Sequence, residues 1–447
     1  MSRLIVDNRS LTVAAPIGDC GGDVRKLLGC AAAILMMCPA ALHAAGAVDA
    51  NTLDNKVLIG YQGWFTCPSD SSQRWTHWSR GVPSAETLTV ELYPDLSELD
   101  ADERCEVPGM TIGGKPAYLF SSRNQKTVSR HFRWMKEYGL DGVLVQRFVG
   151  EIRRKRADGD VVLKNIMAAA KESGRTFAIE YDISGGNAET FTQTLKDDWA
   201  YLVDELKVTA HANYQRHNGR PVLSVWGMGL SDGNAHPPAD PQTAQELIEW
   251  FKSKAPAPYR VTYMGGTPAR WGTLTRDSRS DPAWAGVYAA MDVVQPWNVG
   301  RYGTLEAVDR WKEDVLVPDI KLAAANHQIY MPVVFPGFSW HNLKRNAKEN
   351  QIPRLRGEFF WRQAYNAKVA GARVLKIAMF DEVDEGTAIF KAVSHRKEAP
   401  DQGFWLALDA DGAELPTDWY LKLAGEITRM FHGEIKPDPK LPALVKD

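Results

Sequence analysis

From residue 55 onward the chain alternates two hydrophobic periods. Short, nearly continuous apolar runs recur at 57–62 (VLIGYQ), 142–148 (GVLVQRF), 176–181 (TFAIEY) and 221–226 (PVLSVW), then at 260–265 (RVTYMG), 293–298 (VVQPWN), 330–335 (YMPVVF) and 374–379 (VLKIAM). Runs of that length without polar alternation predict strands covered on both faces. Between them lie stretches with helical spacing. In 124–139, Val128, Phe132 and Met135 share one face, Asn124 is placed to cap the start and Gly139 to stop the end. In 160–174, Val162, Ile166 and Ala169/Ala170 fall in register before Gly174. Further helical patterns cover 193–206, 239–254, 304–326 and 354–371, with a short one near 281–290.

Eight strands joined by helical crossovers predict a single (β/α)8 TIM barrel. The rival, an open doubly wound sheet, would carry a glycine-rich phosphate turn after an early strand. GYQGWF is not that turn, and no Walker A pattern occurs. The stretch 66–126, rich in Pro, Gly and Ser, then becomes a long first loop over the barrel mouth. No linker divides the chain, so the expected organisation is an N-terminal extension and signal over 1–47, a barrel over 48–435 and a tail over 436–447.

The N-terminal pattern is of another kind. Arg25 and Lys26 precede a short apolar run and then small residues, the layout of a secretory signal with cleavage near Ala44 or Ala47. The run is too short for a membrane-spanning helix, and LLGC precedes it rather than ending it, against a lipoprotein. Asp7, Asp19 and Asp23 sit ahead of the basic pair, which suggests a true start at Val24. The expected location is the periplasm or the exterior. Removal of the signal leaves Cys67 and Cys105 of the five cysteines, and an oxidising compartment favours their pairing.

With 53 basic and 55 acidic residues interspersed, no basic stripe for nucleic acid is present. Ten histidines contain no HExxH, no GxSxG marks a serine nucleophile, and neither a metal nor a cofactor is called for. The acids of LDADGAE (408–414) are read as a hairpin turn rather than a calcium loop.

Active sites of such barrels form where strands end. The ends supply Tyr61, Gln62 and Trp64; Gln146 and Arg147; Glu180 and Asp182; and Trp226. Later ends supply Gln295, Trp297 and Asn298; Phe338, Trp340 and His341; and Asp381, Glu382 and Glu385, with His77 in the first loop. Paired carboxyls with flat aromatic surfaces suit cleavage of glycosidic bonds and a carbohydrate substrate. Crowding four acids into 381–385 would hold one carboxyl protonated. The alternative is a solvated loop whose acids face water. Arg147 likewise fits either a substrate contact or a structural ion pair.

FDEVDEGT (380–387) resembles the NEWHEGT signature of glycoside hydrolase family 99, the endo-α-1,2-mannosidases and mannanases. RWTHW (74–78), ELYPDLS (91–97), the segment 121–148, VVFPGFSW (333–340) and RGEFFWRQAYNA (356–367) follow the family's order, so the resemblance spans roughly 57–390. It implies a (β/α)8 barrel without cofactor, in which Glu382 acts as base on the sugar 2-hydroxyl and Glu385 as acid on the leaving oxygen. The anomeric configuration is then retained through an anhydro-sugar. Glu180 matches a strand-end glutamate at the family's substrate site. Val383 and Asp384 replace the signature's Trp and His. Family 71 α-1,3-glucanases, distant relatives, offer a rival substrate. Loss of catalysis would leave a carbohydrate-binding protein on the same barrel, and a non-hydrolytic carbohydrate enzyme is a third reading.

Overall fold

The computed structural model describes residues 46–234 and 236–444. The expected extension and signal therefore lie outside the described residues, apart from Gly46 and Ala47. Val48 donates its N–H to the carbonyl of Gly174 at 2.9 Å, which docks the start of the described chain on the barrel. Among the described residues no helix is long and apolar enough to cross a membrane.

The eight barrel strands are Val57–Tyr61, Gly142–Phe148, Thr176–Asp182, Arg220–Trp226, Thr262–Pro268, Val293–Trp297, a split seventh strand, and Leu375–Ile377. Neighbours pair in parallel in chain order, and the eighth strand returns to the first, with Val57 opposite Leu375. The seventh strand closes the circle in two pieces. Ile329–Tyr330 pairs with the sixth strand and Val333–Val334 with the eighth. Across the break, Met331 donates to Val294 and the Pro332 carbonyl accepts from Lys376, both at 2.9 Å. Proline has no N–H for a ladder, which is why the pairing changes partner here.

Helices cover the outside, as parallel strands buried on both faces require. Gln125–Glu137 starts at Asn124, whose side chain accepts from the Lys126 N–H, and presents buried Val128, Phe132 and Met135. Val149–Ser173 begins eleven residues earlier than its apolar spacing predicts and loses helical geometry at Lys155. The helices Phe191–Asp204, Pro241–Glu249, Trp284–Ala289, Leu305–Trp311 with its continuation to Ala325, and Glu358–Val369 complete the ring.

The first loop is built, not loose. It carries an antiparallel hairpin, Arg104–Ile112 with Lys115–Phe120, and buries Trp78, Val90 and Leu92. A disulfide joins Cys67 to Cys105 across 38 residues. Closing a loop of that length stabilises the fold by about 3–4 kcal/mol in the chain-entropy picture.

A last helix, Trp419–His432, packs at the opposite end of the barrel, where His432 meets Asp141 at 3.1 Å. The segment beyond it also docks, since the Asp438 carbonyl accepts from the Trp361 indole at 2.8 Å. The acids around 408–414 form a short 3-10 turn, Leu408–Asp411, in place of the expected hairpin.

Candidate active site

The acidic motif leaves the eighth strand as a loop fixed by backbone on several sides. Asp381 is fully buried and takes the N–H groups of Gln62 and Gly63 at 2.8 and 2.9 Å, which ties the eighth strand's exit to the first's. Gly63 has φ +61°, a geometry glycine adopts without strain. The carbonyl of Val383 accepts from Glu91 at 3.0 Å, and that of Glu385 from Ser339 at 2.9 Å. Thr387 and Ala388 close the turn on the Glu382 carbonyl.

This clamping sets the side chains. Glu382 is buried, and Gln62 Nε2 donates to its Oε1 at 2.8 Å. Burial pushes its carboxyl well above the ordinary range, and the charges of Glu385, Asp384 and Asp381 push it further. Burial likewise raises Glu385, helped by Asp384 and by Asp182 across the mouth and opposed by Lys344. Burial takes Asp381 up to about 7 against the pull of its two backbone donors. The charge of Glu385 raises Glu382, so ionising the one makes the other harder to ionise. An arrangement that keeps one carboxyl protonated beside another is what acid and base work on one bond needs.

Deeper in the barrel a second cluster forms from alternate, inward-facing residues. Lys376 Nζ lies 2.5 Å from Glu180 Oε1 and 2.9 Å from Gln295 Oε1, and stands over the Trp297 ring. Ser224 donates to the other Glu180 oxygen at 2.7 Å, and Gln146 donates to the first. Lys376 and Glu180 are 0% and 1% exposed, so this is an ion pair out of solvent at the floor of the site.

Asp182, one turn of the pleat above Glu180, caps Ser184 and is raised by burial, an effect that the nearby His236 opposes. Trp226 and Trp297 meet edge to face at 5.5 Å, and Trp340 lies under Lys344. His77, at φ +64°, stacks on Trp64 at 3.8 Å and reaches Asp384 Oδ2 at 3.6 Å. Val383, in contrast, is wholly buried in the core.

Four expected residues lie elsewhere. Tyr61 points outward from its strand, with its hydroxyl on His131 at 2.9 Å. Arg147 also faces the helices, held by Asp198 at 2.5 Å and Asp160 at 3.1 Å, so its reading as an ion pair describes its contacts. Both follow from the strand period of two: Gln146 faces in, hence Arg147 faces out. Asn298 donates to Tyr302 and His341 rests on Ala347 and Phe404, each turned from the acid pair. Lys376, Ser224, Glu91 and His236 were not foreseen. A lysine inside the apolar run VLKIAM was the one available signal, since an isolated buried charge demands a partner.

With this geometry in view, solved structures of known proteins supply a comparison. A GH99 endo-α-mannosidase from Bacteroides thetaiotaomicron superposes with a TM-score of 0.61 at 17% identity, covering 86% of this chain and 99% of that one. The chain shares its fold. A second structure of that mannosidase, in complex with bis-tris propane, gives 0.60 at 18% identity, with the same coverage of both chains. A structure described as a glycoside hydrolase-like protein gives 0.53 at 13%, covering 86% of this chain and 96% of its own. No protein-family model matches the sequence, and no curated protein gives a significant match.

Proposed function

We propose that this protein is an exported glycoside hydrolase that cleaves an α-linked, mannan-like glycan internally and with retention. The observation that carries the reading is the pair Glu382 and Glu385, both raised by burial and by neighbouring carboxylates on one clamped loop at a barrel mouth. The GH99 likeness in fold and the Glu-x-x-Glu spacing support the same chemistry. Glu382 is assigned as base by its place in the Glu-x-x-Glu motif, where Gln62, and Thr387 Oγ1 at 3.4 Å, hydrogen-bond its carboxyl. Glu385 is assigned as acid, its carboxyl raised by burial and by Asp384 and Asp182. Glu180, held by Lys376, and the Trp226–Trp297 pair would receive the sugar. The basic-then-apolar N-terminus supports export.

The test is a panel of α-mannans and α-1,3-glucan with the parent and the variants Glu382→Gln and Glu385→Gln. Loss of proton transfer lowers turnover by about 10²–10⁴-fold, while oligosaccharide binding survives. Binding by the parent without cleavage of any polymer would make it a carbohydrate-binding protein instead. Parental turnover in both variants would remove the catalytic assignment.

A further inference from the structure

Next to Gln62 and Gln146, a cavity of about 110 Å³ runs between the second strand and the kinked helix Val149–Ser173. Gln62, which donates to Glu382, forms part of its wall, so the cavity adjoins the catalytic loop directly. Its lining is divided. Val145, Ile152, Val162, Leu163 and Ile179 make an apolar part, and Arg74, Arg123, Lys155 and Arg156 a cationic one.

The charges do not balance. Arg147 and Arg156 are matched by Asp160 and Asp198, and Lys155 by Glu151. Arg123 and Arg74 share a single carboxylate, Asp158, at 2.7 and 3.7 Å. Among the described residues one positive charge is left over. Trp64, another wall residue, has a buried indole N–H with no acceptor among the described residues.

Size narrows the occupant. A cavity of about 150 Å³ holds a benzene molecule, and a hexose has roughly twice as many heavy atoms. A short acyl chain fills that space, while the open side leaves the ring that carries it outside. An apolar lining with surplus donors and one uncompensated positive charge selects a chain ending in an acceptor-only, singly negative group.

We infer that this cavity receives a short carboxylated acyl substituent, of the succinyl kind, carried by the glycan whose backbone lies at Glu382 and Glu385. The inference rests on the glycosidase reading for its substrate but not for the binding site itself. The enzyme would then select acidic, acylated regions of its polymer.

Monomethyl succinate and its neutral dimethyl ester are the probes, followed by ligand-observed NMR on the full chain. The monoanion should bind saturably and the diester at least tenfold more weakly. Arg74→Gln alters a half-exposed side chain and should weaken the monoanion several-fold; Val162→Phe, which fills the apolar part, should abolish its binding. Absence of monoanion binding, equal binding of the diester, or no effect of Arg74→Gln overturns the site. A second arm compares one α-mannan before and after partial succinylation. Faster cleavage of the acylated polymer, lost in Arg74→Gln, supports the inference. Equal cleavage of both overturns the glycan-borne substituent. If neither is cut while the monoanion still binds, the glycosidase reading fails and the carboxylate site stands.

Discussion

The backbone N–H of Glu91 donates to the carbonyl of Val383, 3.0 Å away, in the middle of the acidic motif. The same residue's carboxylate takes the Ser339 hydroxyl and, at 2.9 Å, the N–H of Asn342. One fully buried glutamate in the first loop thus joins the loops that follow the seventh and eighth strands. Ser339 in turn donates to Glu385, so the chain of contacts ends at the proposed acid.

Glu91→Ala should therefore reduce turnover by about tenfold, with oligosaccharide binding affected less, and cost about 1–3 kcal/mol of stability for the groups left unpaired. Glu91→Gln keeps an acceptor for Asn342 and should recover most of both. Steady-state kinetics and urea denaturation of the two variants read this directly. Equal loss of turnover in both variants would count against a positioning role.

The raised carboxyls make a statement about pH. Asp381, Glu382 and Glu385 have folded values above their unfolded ones, so folding favours their protonated forms. Their stabilising contribution is complete below the ordinary carboxylate range and is lost as pH rises through about 7 for Asp381 and higher for the pair. Glu385→Gln removes one such group. Its melting temperature should match the parent near pH 4.5 and exceed it increasingly toward pH 8.5, as followed by scanning calorimetry. A constant difference across that range would show that Glu385 is ionised throughout.

The floor of the site behaves differently, because Lys376 and Glu180 compensate each other. Lys376→Met leaves a buried carboxylate without its cation and should cost about 3–5 kcal/mol. Removing both charges in Lys376→Met with Glu180→Gln should be markedly less costly than the single change. Denaturant midpoints of the single and double variants test the coupling; strictly additive losses would refute it.

Strands were the most legible feature, because buried parallel strands read as unbroken apolar runs whatever their neighbours do. The break in the seventh was present as Pro332 within YMPVVF. The hairpin in the first loop also had its mark, Gly113–Gly114, both at positive φ, between two β-prone runs. The early start of the helix Val149–Ser173 had none, since its first turns are rich in charge and the helix kinks at Lys155. At the strand ends, sequence identifies polar residues but not their direction. Gln146 and Arg147 are adjacent, and only their contacts, Gln146 with Glu180 and Arg147 with Asp198, show which one faces the lumen. Contacts between loops far apart in sequence, such as Glu91 with Val383, leave no local trace at all.

The split seventh strand gives the closed sheet a seam. Residues 329–331 hold one neighbour and 332–334 the other, where the second and third strands join over seven residues. Local opening of a sheet begins where fewest hydrogen bonds must break. Here that place borders the strand that leads into Asp381 and Glu382. Breathing along the seam would spread the rim at the acid pair while leaving the broad wall from the first to the sixth strand intact.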